Sequence, residues 1–279
     1  MLAPKREDGY HIVAQNEHAA MAGQFADSWG NEHFDNPKPT AAMSAAGYIH
    51  DNGWSRWDLY PHLGEDGKPI NLFEVPTKKW VKFYERGIEN AVKMDSYVGL
   101  LVSMHGAGVR RRRYGTAPEM TDRHQQYASF VAREEMRQRQ LAEDIHRSDR
   151  YGAYVTDEAL DMLETIHSTG SYEGNNPLWR SYCLLQAWDR LSLRFSLYPE
   201  LEATTLESVP AAGAEQVEIA VTPTDTTTLT LDPYPFETSP FVVPLRKRVV
   251  PSREYSNPTE LLTAYYEADL QTTNFTLIK

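Results

Sequence analysis

The sequence predicts a mainly α protein with a smaller β-rich section at its C-terminal end. Two observations predict the helices. Apolar residues recur at helical spacing in several stretches before residue 200, and the stretch 176–198 is the most apolar of them. A third observation predicts the strands. After Pro199 the period changes to two, with Val217, Ile219 and Val221, then Leu229 and Leu231, then Phe241, Val243 and Leu245. The expected division is a helical core over 1–200 and a β-rich section over 201–279 packed on it.

Residues 10–15 predict a short strand or lead-in. From about 15 to 30, Ala14, Met21, Ala22, Phe25 and Trp29 form a helical stripe, and His18 shares its face. A second helix is expected from Pro39 or Thr40 to Ile49, with Thr40 as N-cap and Gly53 as a stop signal after His50-Asp51. The aromatic, Gly- and Pro-bearing stretch 54–76 predicts a long functional loop or lid. A helix with Trp80, Phe83, Tyr84 and Ile88 follows. In 96–106, Val98, Leu101, Val102 and His105 stand at i, i+3, i+4 and i+7, so His105 ends the stripe of a buried helix. Four arginines, Arg110 to Arg113, open a polar loop. Helices are expected over 121–147, 156–168 and 176–198, and a short helix (259–268) and strand (273–278) finish the chain. Neither an internal repeat nor a low-complexity tract is evident.

With 279 residues and 41% hydrophobic content, the chain can bury a substantial core. Its formal net charge of -11 argues against wrapping nucleic acid or coating an anionic membrane. A single cysteine, Cys183, excludes an intrachain disulfide framework and a cysteine zinc cluster. No apolar run approaches the roughly 20 residues of a membrane span, and residues 1–8 lack a signal-peptide core. The expectation is a soluble cytoplasmic protein.

The chemistry concentrates in four groups: His18, His50, Asp51 and Asp189. Adjacent His50 and Asp51 offer an imidazole nitrogen and a carboxylate oxygen to one small volume, a half-site for a divalent or redox-active metal. A lone histidine on an apolar face is more often a satisfied core residue. Asp189 is harder to explain as filler, because an uncompensated buried carboxylate is very costly. Arg190 points about 100° away from it on the helix. A metal shared with His50 and Asp51 would satisfy Asp189, and so would an arginine from another helix.

His18, the His50-Asp51 dyad and the stretch from Leu184 to Leu191 that ends in Asp189 resemble the His…His-Asp…Asp signature of the HD-domain superfamily. More narrowly, Gln15-Asn16-Glu17-His18, Asp51-Asn52-Gly53-Trp54, Ser103-Met104-His105-Gly106 and Asp189-Arg190-Leu191-Ser192-Leu193 resemble an HD-like family described only as a domain of unknown function. That narrower resemblance spans about 10 to 275 and includes Asp232-Pro233-Tyr234-Pro235-Phe236. The resemblance implies an all-α metal-dependent core in which His18, His50, Asp51 and Asp189 hold one divalent ion. Mn, Mg, Fe, Zn and Ni all fit that donor set. It also implies a phosphohydrolase, in which an activated water attacks a phosphoester of a nucleotide-like small molecule.

Other residues extend the site. Asp51 and His105 are the catalytic candidates. His105 is read as a second-metal ligand or a contact to a substrate anion, against a C-terminal cap on a buried helix. Arg110, Trp54 and His62 are candidates for substrate binding, and at least one of Arg110 to Arg113 is a candidate for bidentate binding of a phosphate or carboxylate, set against a solvated charge run. Two rivals stand beside the hydrolase. One is a non-haem di-iron oxygenase, for which His105 with His62 or His124 would complete a two-iron site. The other is a non-catalytic binding protein held together by metal. The expected partners are a small, anionic substrate and a second copy of the chain.

Overall fold

The apolar stripes become helices in the computed structural model, which describes residues 1–213 and 215–279. The helices are α1 (Gln15–Ser28), α2 (Thr40–Ile49), α3 (Thr77–Met94), α4 (Ser96–Gly108), α5 (Ala128–His146), α6 (Asp157–Thr169), α7 (Pro177–Ser196) and α8 (Pro258–Glu267). The strands are β1 (Lys5–Arg6), β2 (Gly9–Ile12), β3 (Thr204–Pro210), β4 (Gln216–Pro223), β5 (Thr228–Asp232), β6 (Phe241–Val250) and β7 (Leu270–Ile278). Starts follow local chemistry. Asp95 accepts from the Tyr97 and Val98 amides to cap α4, and Asn176 accepts from Trp179 N ahead of Pro177 in α7.

The expectation of a mainly α chain with a small C-terminal β section does not survive. The strands form one seven-stranded sheet in the order β1-β2-β6-β7-β5-β4-β3, antiparallel except for the parallel pair β5/β7. It draws on both ends of the chain, because Tyr10 pairs with Val250 and Ile12 with Arg248. The N-terminal strands have two and four residues, too short for alternation to show. Their partner lies far along the sequence, so pairing rather than local pattern makes them strands. The sheet is also not an appendage to an all-α core. Phe195 of α7 packs on Phe275 of β7 with ring centroids 4.4 Å apart, and Phe25 of α1 packs on Phe236 and Phe241. Helices and strands share one apolar core.

The core positions the site. Every residue of α4 from Tyr97 to Gly108 is buried. Helices α1 and α2 cross closely at two glycines, where a Cβ on Gly47 would lie 2.9 Å from Gly23 Cα. That approach brings His18 on α1 toward the C-terminal end of α2. Among the described residues, no helix is long and apolar enough to cross a membrane.

Candidate metal centre

Four elements converge on one buried point. His18 comes from the first turn of α1. His50 ends α2, and Asp51 follows with φ -111° and ψ 21°, near the bridge region. The turn carrying Asp51 is clamped to α3: the Asn52 amide donates to Ile49 O at 2.8 Å and Gly87 O at 3.0 Å. Gly53 is required there, since a Cβ would fall 1.8 Å from Phe83 O. His105 comes from α4 and Asp189 from α7. All five residues are at most 5% exposed.

His18 Nε2 lies 3.1 Å from Asp51 Oδ2 and 3.8 Å from Asp189 Oδ1. His50 Nε2 lies 3.2 Å from Asp189 Oδ1 and 3.9 Å from Asp51 Oδ2. The outer nitrogens define the tautomers. His50 Nδ1 faces Gly47 O at 2.9 Å, which can only accept, so Nδ1 carries a proton. Ser192 Oγ gives its proton to Asp189 O at 2.8 Å and therefore accepts from His18 Nδ1, also at 2.8 Å. Both inner Nε2 atoms then face carboxylate oxygens, so that either a proton or a metal cation can lie between nitrogen and oxygen there. The donor atoms of His18, His50 and Asp51 lie within 4.8 Å of one another, as do those of His50, His105 and Asp189. Two imidazoles and two carboxylates suit a divalent ion.

Without a metal, a proton on His50 takes that place. Burial opposes charge on His50, yet Asp51 and Asp189 outweigh it and raise its pKa to about 9. Burial likewise opposes the Asp51 carboxylate, but His50 and His18 hold it below the usual range. Asp189 is held well below the usual range against burial, chiefly by Arg113, whose Nη2 lies 2.6 Å from Asp189 Oδ2. Burial pushes His105 down to about 3. At neutral pH the charges of His50 and Arg113 offset those of Asp51 and Asp189, so a cation that binds His50 Nε2 must displace its proton.

Asp51, His105 and Asp189 floor a cleft of about 370 Å³. Its walls carry Arg110, Arg113, Arg123, Arg190 and Arg194, with Glu119 opposing them. The Arg110 guanidinium is clamped between aromatic rings, 3.7 Å from the Trp80 centroid and 4.1 Å from that of Tyr127. Burial lowers its pKa to about 10, so it stays cationic at neutral pH. Among the described residues it pairs with no carboxylate.

The remaining sequence candidates lie elsewhere. Trp54 is a core residue at 1% exposure, tilted on Phe83 at 4.8 Å. His62 stacks on Trp57 at 3.4 Å and donates to Trp57 O at 3.0 Å. His124 opens a 3-10 turn before α5. None of the three lines the cleft. Four site residues were not singled out from sequence. They are Tyr84, whose hydroxyl donates to Asp51 Oδ1 at 2.8 Å, together with Arg113, Gln186 and Ser192. Gln186 and Ser192 stand three residues either side of Asp189 on α7, a spacing that puts them on its face. Arg113 left no such signal. The arginine run reads as a solvated face, but Arg112, Arg113 and Tyr114 adopt φ of 50°, 51° and 50°. These left-handed residues turn Arg113 inward. Arg111 is also buried, 2.5 Å from Glu135 Oε1.

The family described as "Protein of unknown function (DUF3891)" matches residues 1–252. No curated protein and no solved structure matches the chain.

Proposed function

The chain belongs to that DUF3891 family, whose description carries no activity, and we propose from the chemistry of the site that it is a metal-dependent hydrolase of a small anionic molecule, with phosphoesters as the leading class. One observation carries the reading: the inward Nε2 atoms of His18 and His50 meet Asp51 and Asp189, and both carboxylates line an arginine-walled cleft. His18, His50, Asp51 and Asp189 would hold the ion. When bound, it would polarise a phosphoryl oxygen and activate water for attack at phosphorus.

The protein groups divide the remaining work. Asp51 and Asp189 stay ionised, which suits ligands and not proton stores. Tyr84 fixes the Asp51 carboxylate. Arg110 meets the anion with a guanidinium already desolvated and oriented by Trp80 and Tyr127. Attack of water would form a new P–O bond as the ester P–O bond breaks, and the proton the water loses would balance the one the leaving alkoxide takes up.

The di-iron alternative needs two further histidines at the site. His62 and His124 lie outside the cleft lining, which leaves His105 alone.

Metal analysis of protein purified without chelators tests the reading. One divalent ion per chain is expected, lost in His50→Ala and Asp189→Ala because each removes a ligand. Phosphate release from a phosphoester panel should vanish with the ion. Two irons with an optical signature would sink the hydrolase, and a bound ion without turnover of any ester would favour a metal-stabilised binding protein.

A further inference from the structure

We propose, building on the metal reading above, that His105 is not a ligand of the ion but a fixed N–H donor that holds an oxygen of the anion in the cleft. Arg113 fixes which way the Gln186 amide faces. Its Nη1 lies 2.5 Å from one terminal atom of the Gln186 amide. Arginine has donors only, so that atom must be the amide oxygen. The amide nitrogen then faces His105 Nδ1, at 3.3 Å, and donates to it. His105 Nδ1 is therefore an acceptor, and the ring proton resides on Nε2. His18 and His50 have the opposite arrangement, because Ser192 Oγ and Gly47 O accept from their Nδ1 atoms.

The consequence is a division of labour among three touching imidazoles. His18 and His50 hold their Nδ1 protons outward, which leaves Nε2 as the nitrogen that can bind an ion. His105 aims a proton inward. For Nε2 of His105 to bind a cation, its proton would have to move to Nδ1 and oppose the Gln186 amide protons. Turning the amide over would relieve that conflict only by breaking the bond to Arg113. Nor does Nε2–H have a protein acceptor among the described residues. The nearest carboxylate oxygen, Asp51 Oδ1, is 3.9 Å away and already accepts from Tyr84. His105 is 1% exposed and lines the cleft floor. An unpartnered N–H there, beside guanidinium walls, fits an anionic oxygen.

The test is ¹⁵N-histidine NMR on the full chain, first metal-free, then with Zn²⁺, then with added inorganic phosphate. His105 is expected to show the Nε2–H pattern throughout and to shift with phosphate, while His18 and His50 show Nε2 coordination with Zn²⁺. His105→Ala should keep Zn²⁺ stoichiometry and weaken phosphate binding roughly tenfold, and His105→Gln, which retains an N–H, should recover part of that loss. An Nδ1–H pattern at His105, Nε2 coordination there, or loss of Zn²⁺ in His105→Ala would overturn the proposal. Failure of the unaltered protein to bind Zn²⁺ would instead overturn the metal reading, and the metal-free tautomer would still decide the role of His105.

Discussion

At the scale of single residues, the site depends on which buried charges are compensated and by what. His18, His50, Asp51 and Asp189 were legible because each puts a polar group into or beside an apolar helical stripe, where burial demands a partner. Arg113 was not legible, since three consecutive left-handed residues decide where it points. It carries the buried charge opposite Asp189. Arg113→Ala should destabilise the metal-free protein by roughly 3–5 kcal/mol, the usual cost of removing one partner of a buried pair. Saturating divalent metal should restore part of that loss, because an ion can take over the role of the guanidinium. Urea denaturation with and without metal measures both effects. A variant as stable as its parent in the absence of metal would contradict the assignment.

At the scale of elements, the turn after α2 decides whether the dyad forms. Helix α2 was readable from Thr40 to Ile49 because its apolar spacing is local. The register of its end against α3 was not readable, since it depends on Gly53 and Gly87 meeting across the interface. Gly53→Ala would drive a Cβ into the Phe83 carbonyl and push Asp51 off the cluster. Metal affinity should fall by about 10–100-fold, as for loss of a supporting contact, with far-UV circular dichroism retained. Isothermal titration with Zn²⁺ checks this; unchanged affinity would mean that the turn has slack. Strand β1 falls in the same class; β2 was readable as the short strand or lead-in at 10–15, but its pairing with β6 was not.

At the scale of the whole molecule, helices and sheet share a main core, with a second, smaller cluster around Tyr10, Ile12, Val250 and Leu261, and titratable groups are buried away from the cleft. His167 donates from Nε2 to Gln138 Oε1 at 2.8 Å, and burial, with Arg139 and Arg111 adding to it, lowers its pKa from 6.5 to about 3. The unfolded chain therefore binds this proton before the folded one does. Stability from this group is complete above about pH 6.5 and declines as pH falls toward about 3. His167→Gln removes the titration and should lose less stability than its parent between pH 6.5 and pH 4, as read by thermal melts. Equal losses would place the acid sensitivity elsewhere.

The amino-acid order alone settled what is local: the helical periods, the change to alternation after Pro199, and the four polar groups on or beside apolar stripes. Those follow from burial, which acts on each segment separately. The tertiary structure decided what depends on partners distant in the chain. It joined both chain ends into one sheet and turned Arg113 onto Asp189. It also gave His105 a tautomer opposite to those of His18 and His50, through the amide of Gln186. A hydrogen bond's direction is set by the group that meets it, and only the fold brings those groups together.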